Sequence, residues 1–164
     1  MTVRTLFLLA AVAACSSNNS TAKQSAQTSD SAFTKLQQRG ETVMGVDQYT
    51  SQHVFEPLPN GGRIVLQRKE ADSAGEAVIR EHMRTIAKAF AAGDFTLPGV
   101  VHAMKDVPGT AQMRALRKDI TYTPQDLPRG GQVVIATNNP QAVTAIHDFL
   151  AFQRMDHRAA MHMD

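Results

Sequence analysis

The chain has 164 residues, with 17 Lys and Arg against 15 Asp and Glu, a single Cys and no Trp. A formal charge of +2 without a basic cluster lacks the electrostatic footprint of a nucleic-acid binder. One Cys rules out a disulfide within the chain, so any folded part must be held by its own core.

The first residues set one charge, Arg4, ahead of the short apolar run Leu6–Ala14, which ends in small residues before Cys15. That is the layout of a cleavable export signal, and the run is too short to span a bilayer. Val12-Ala13-Ala14-Cys15 resembles the lipobox of bacterial lipoproteins. The resemblance implies a signal peptide over 1–14, cleavage before Cys15, and diacylglycerol on its thiol. It also implies membrane anchoring through that lipid, facing the periplasm, with Ser16 favouring the outer membrane. Loss of Arg4 leaves 16 basic against 15 acidic residues, a charge of +1.

From Ser16 to Ala32 nearly every residue is Ser, Thr, Asn, Gln, Ala or Asp, and no large apolar side chain precedes Phe33. Composition of this kind buries too little surface to offset its ordering entropy. It predicts a flexible tether over 15–39, a single domain over 40–158 and a flexible tail over 159–164.

Within the domain the chain repeats itself. Leu58-Pro-Asn-Gly-Gly62 and Leu127-Pro-Arg-Gly-Gly131 each stand between β-rich segments, so both predict hairpins. A helix is predicted after each. The first, Ala74 to Ala92, places Ile79, Met83, Ile86 and Phe90 on one face, with Ser73 as N-cap. The second, Pro140 to Arg154, begins with an Asn139 cap and a first-turn proline, and turns Val143, Ile146 and Leu150 inward. Two ββα units, about 48–92 and 119–154, predict an α+β fold: an antiparallel sheet with helices on one face. The connector from Asp94 to Lys118 carries turn signals at Pro98-Gly99 and Pro108-Gly109, then a short helix from about Thr110.

No Gly-x-Ser-x-Gly, phosphate loop or His-Glu-x-x-His motif is present. Candidate chemistry therefore falls to six His and eight Met residues, which suit a transition metal, copper first, in an oxidising compartment. His53 on a hairpin, His102 in the connector and His157 after the last helix form the preferred ligand set. Secondary candidates are His82 and His147, similarly spaced from Ala-Val pairs in the two helices, and the tail residues Met161, His162 and Met163. Asp94 and Asp106 read as turn or capping carboxylates.

From Gly45 to Ala159 the chain resembles a family of small exported bacterial proteins whose members are often labelled aspartate carbamoyltransferase. The resemblance is carried by Thr50–Phe55, Leu58–Gly62, Gly93-Asp-Phe95, Val101-His102, Val107-Pro-Gly109, Leu127–Gly131 and Ala145–Leu150 running into Asp156-His157-Arg158. His53, His102 and His157 fall inside these motifs; Met161, His162 and Met163 fall outside. The label implies an enzyme. The Ser-x-Arg-Thr-Arg loop that holds carbamoyl phosphate in carbamoyltransferases has no counterpart, since the nearest basic run, Met113–Lys118, lacks its Ser and Thr. The leading expectation is thus a lipid-anchored metal-binding domain. The rivals are a structural or interaction lipoprotein without a small ligand, and an enzyme.

Overall fold

A computed structural model describes the backbone of residues 18–159 and the side chains of 29–159. Cys15 and the Met161, His162 and Met163 candidates lie outside the described residues. The chain divides into two units, Met1–Ser31 and Ala32–Asp164. The elements are α1 (Asn18–Met44), β1 (Ser51–Leu58), β2 (Gly61–Arg68), α2 (Ser73–Ala91), α3 (Thr96–His102), α4 (Thr110–Ala115), β3 (Ile120–Leu127), β4 (Gly130–Thr137) and α5 (Pro140–Asp156). The fold is α+β, as predicted: one four-stranded antiparallel sheet in the order β1-β2-β4-β3, with helices packed against it. Among the described residues no helix is long and apolar enough to cross a membrane.

The two hairpins join through their second strands, and the register of β2 on β4 is two-fold symmetric about the Ile64–Val133 pair. Gly61 opposite Ala136 is matched by Gln67 opposite Gly130. The flanking backbone bonds obey the same relation: Arg68 N donates to Arg129 O at 2.7 Å, and Thr137 N to Asn60 O at 2.9 Å. Residues two apart share a sheet face. Gly62, Ile64 and Leu66 therefore lie with Gly131, Val133 and Ile135 on the face that the helices cover. Each glycine there admits a helix. A Cβ on Gly62 would lie 2.2 Å from Leu150 Cδ1, and one on Gly131 would lie 3.2 Å from Met83 Cγ.

The helices are exchanged between the repeats: α5 packs on β1 and β2, and α2 on β3 and β4. Each also closes the other unit's hairpin. Arg80 on α2 donates to Leu127 O and Gly130 O, while His147 Nε2 on α5 faces Leu58 O at 2.9 Å and Gly61 O at 3.0 Å. The structural counterpart of His147 is therefore Arg80. The pairing of His82 with His147 suggested by their spacing from Ala-Val is corrected. Both hairpin ends need donors because two carbonyls point outward at each turn.

Three local expectations are also corrected. The cap of α2 is Asp72, not Ser73; its carboxylate accepts from Gly75 N at 3.1 Å. Pro98-Gly99 is no turn but lies within α3, where proline is tolerated because first-turn amides have no partner inside the helix. His102 consequently ends a helix instead of riding on a loop. The stretch predicted as tether is helical from Asn18 onward, and the domain begins before residue 40: Leu36 is 3% and Met44 8% exposed, with Gln37 and Gly40 also buried. Positions 36, 37, 40 and 44 share one helical face, so a few small or apolar side chains suffice for docking. In contrast, Asn139 caps α5 as predicted, accepting from Gln141 N at 2.9 Å. Leu36→Ala is expected to lower unfolding free energy by about 2–4 kcal/mol in urea titration; a loss below about 0.5 kcal/mol would show that this helix contributes little to the domain.

Candidate metal-binding cavity

The hydrophobic core includes Ile64, Leu66, Ile79, Met83, Phe90, Val133, Ile135, Ile146 and Phe149, all 5% exposed or less. Near the end of α5 this packing opens into an apolar cavity of about 60 Å³. Its wall combines Met44 from α1, His53 and Phe55 from β1, His82 and Ile86 from α2, Val101 and His102 from α3, and Gln153 and His157 from the end of α5. The space admits an ion with a few waters, far less than a typical small-molecule pocket.

All three histidines of the preferred set meet here. The His157 ring lies between the other two, with centroids 4.9 Å from His53 and 5.1 Å from His102. Phe55 stacks on His53 at 5.6 Å, with ring planes 8° apart, and lies 5.4 Å from His157. His82 lines the same wall. His147 does not; it serves the hairpin.

Chain duplication clarifies what this cluster is. In step with the repeat, β1 His53 corresponds to β3 Tyr122, and His157, which caps the end of α5, corresponds to α2 Phe90. Phe90 and Tyr122 make an edge-on contact at 5.8 Å, an ordinary aromatic core pair. The second copy of the same strand–helix crossing holds two imidazoles.

Burial keeps these rings neutral. Desolvation, helped by the charge of His82, lowers the His53 pKa to about 4. Desolvation alone lowers His82 to about 4. His157 falls to about 2 through desolvation, then repulsion from His53 and His102. A neutral imidazole has a lone pair to give, which a metal requires. His157 Nδ1 is buried with no hydrogen-bond partner among the described residues, a cost of about 1–3 kcal/mol unless something binds it.

His102 plays a different part. Its Nδ1 lies 2.5 Å from Asp156 Oδ2 and its Nε2 2.8 Å from Gln153 Oε1. Both ring nitrogens are thus engaged, and His102 orients the end of α5 beside His157 instead of offering a lone pair. Among the described residues no three His, Cys, Asp or Glu side chains are arranged to hold a metal ion. The donor that sequence reasoning missed is Met44: its Sδ lies 3.4 Å from His53 Nε2. Its sequence signal was the Leu36, Gly40, Met44 spacing, which straddles the predicted boundary between tether and domain at residue 40.

The other candidates are accounted for by local structure. Asp94 Oδ1 accepts from Thr96 N at 2.8 Å, a capping role at the start of α3. In the Met113–Lys118 run, Met113 is fully buried and Arg114 bonds Gly93 O; none of it lines the cavity. No family model, curated protein or solved structure matches this chain.

The lowered histidine pKa values predict acid sensitivity. In the unfolded chain each histidine takes up its proton near pH 6.5; in the folded chain His53 and His82 resist to about 4 and His157 further. Protons therefore favour unfolding, so stability is full above about pH 6.5 and falls as pH drops toward 4. Urea midpoints measured across that window should decline. The double variant His53→Phe/His157→Phe, which rebuilds the aromatic crossing of the other repeat, should be more stable at pH 5 and flatten the decline. An unchanged slope would refute the assignment of buried neutral rings.

Proposed function

We propose that this protein is a lipid-anchored extracytoplasmic domain that binds a transition-metal ion, copper first, in the histidine cavity. The observation that carries the reading is the replacement of an aromatic core pair by His53 and His157, neutral and side by side on an apolar wall. A core needs no imidazole at such a crossing, since Phe and Tyr fill the equivalent one. Two desolvated nitrogen ligands cost stability and supply metal affinity, the trade expected of a functional site. Gln153 and Asp156 hold His102 against the same helix end, as partners outside a metal's ligand set commonly hold its surroundings.

The anchored location rests on the Arg4–Cys15 export signal and its lipobox-like end. A lipid-modified amino terminus would hold the domain at a bilayer surface, where two or more acyl chains give lasting attachment.

The test is stoichiometric titration of the purified full chain with copper and zinc salts, followed by calorimetry or absorbance. One equivalent of metal should bind, and His53→Ala or His157→Ala should weaken binding at least about tenfold. His102→Ala should have the smaller effect of a positioning residue. Absence of stoichiometric binding, or binding indifferent to His53 and His157, would end the reading. For the anchor, globomycin should block processing and labelled palmitate should enter the protein; identical processing with and without the drug would contradict it.

A further inference from the structure

We infer that Met44 is a ligand of this site through its thioether sulfur, and that the site therefore takes copper(I) in preference to zinc or copper(II). The inference rests on the proposed metal-binding reading and names its ligand set and oxidation state.

A nitrogen ligand at about 2.0 Å and a sulfur at about 2.3 Å, at a near-tetrahedral angle about one ion, stand about 3.5 Å apart. His53 Nε2 and Met44 Sδ stand 3.4 Å apart. The two atoms already have the separation of neighbouring ligands, and His157, its ring centroid 4.9 Å from that of His53, stands beside them on the same wall.

The thioether is held in place. Met44 is the last residue of α1 and 8% exposed. A Cβ on Gly40, one turn earlier, would lie 3.1 Å from Met44 Cε, so the glycine leaves room for the terminal methyl. The chain then turns at Gly45, with φ of 72°, a conformation that side chains rarely adopt. The helix end and its turn thus fix where the sulfur sits relative to β1.

Ligand type then selects the ion. Two neutral imidazoles and one thioether bring no negative charge, and His82 on the same wall offers only a further neutral nitrogen. Zinc prefers four ligands, commonly with thiolate or carboxylate among them, and copper(II) favours a tetragonal nitrogen and oxygen set. Copper(I) is soft, carries a single charge, and is satisfied by two or three ligands such as these. An apolar wall with Phe55 over His53 also favours the ion of lower charge, because desolvation costs it less.

The experiment uses the full chain carrying Cys15→Ser, Met161→Leu and Met163→Leu, which removes the cysteine thiol and the two tail thioethers. Copper(I) affinity is measured by competition with a chromophoric copper(I) chelator, zinc affinity by calorimetry, and the ligand set by copper X-ray absorption. This background should bind one copper(I), with a Cu–S distance of about 2.3 Å in its spectrum. Met44→Leu, which conserves volume, should weaken copper(I) at least about tenfold, lose the sulfur signal and change zinc affinity less than about twofold. The exposed Met155→Leu should change neither. If copper(I) binds through His53 and His157 but shows no sulfur and ignores Met44→Leu, the thioether assignment is overturned while the site stands. Tighter binding of zinc than of copper(I) overturns the selectivity. If neither ion binds at all, the site reading falls and this inference with it. If Met44→Leu does not fold, the spectrum of the background carrying Met83→Leu decides the sulfur question: retained sulfur assigns the ligand to Met44, and lost sulfur assigns it to Met83, the other methionine on the cavity wall, and overturns the inference.

Discussion

The antiparallel pairing of β2 with β4, centred on Ile64 and Val133, is the constraint from which the rest of the molecule follows. It joins two ββα units back to back, so that neither helix can cover its own hairpin alone. Each instead crosses to the other unit, and the second residues of β2 and β4, Gly62 and Gly131, let the helices approach. Arg80 and His147 then satisfy the hairpin carbonyls in trans. Different side chains do the same hydrogen-bonding work at equivalent places, as expected where backbone need persists while sequence drifts.

Given that frame, the two strand–helix crossings should have been interchangeable. They are not. One is closed by Phe90 and Tyr122 and is simply core; the other presents His53 and His157 and leaves a small cavity. The asymmetry coincides with the gathering of Met44, His82 and His102 around the same space. Consistency across levels elsewhere in the fold makes this one local departure stand out, and the proposed metal-binding reading rests on it.

Much of this was legible beforehand. The helical faces Ile79-Met83-Ile86-Phe90 and Ile146-Leu150, the Asn139-Pro140 start and the paired Leu-Pro-x-Gly-Gly turns are local signals, and they located both ββα units. His53, His102 and His157, grouped as one ligand set from the sequence, do lie side by side in the fold. What could not be read was anything that depends on partners distant in sequence. The engagement of His102 by Gln153 and Asp156 needs α3 beside α5, and the correspondence of His147 with Arg80 needs the helix exchange. The helical Leu36–Met44 segment was missed because composition averages over all faces of a helix, whereas docking uses one. Met44 was lost with it.

The central claim is that His53 and His157 are neutral, desolvated imidazoles occupying an aromatic core position. Nitrogen-detected NMR of the histidine side chains, followed from pH 8 to pH 5 in the metal-free protein, addresses it directly. The account predicts that the ring nitrogens of both residues keep the shifts of neutral imidazole throughout, down to conditions where exposed histidines are fully protonated. Titration of either ring near pH 6.5 in the folded protein would contradict it.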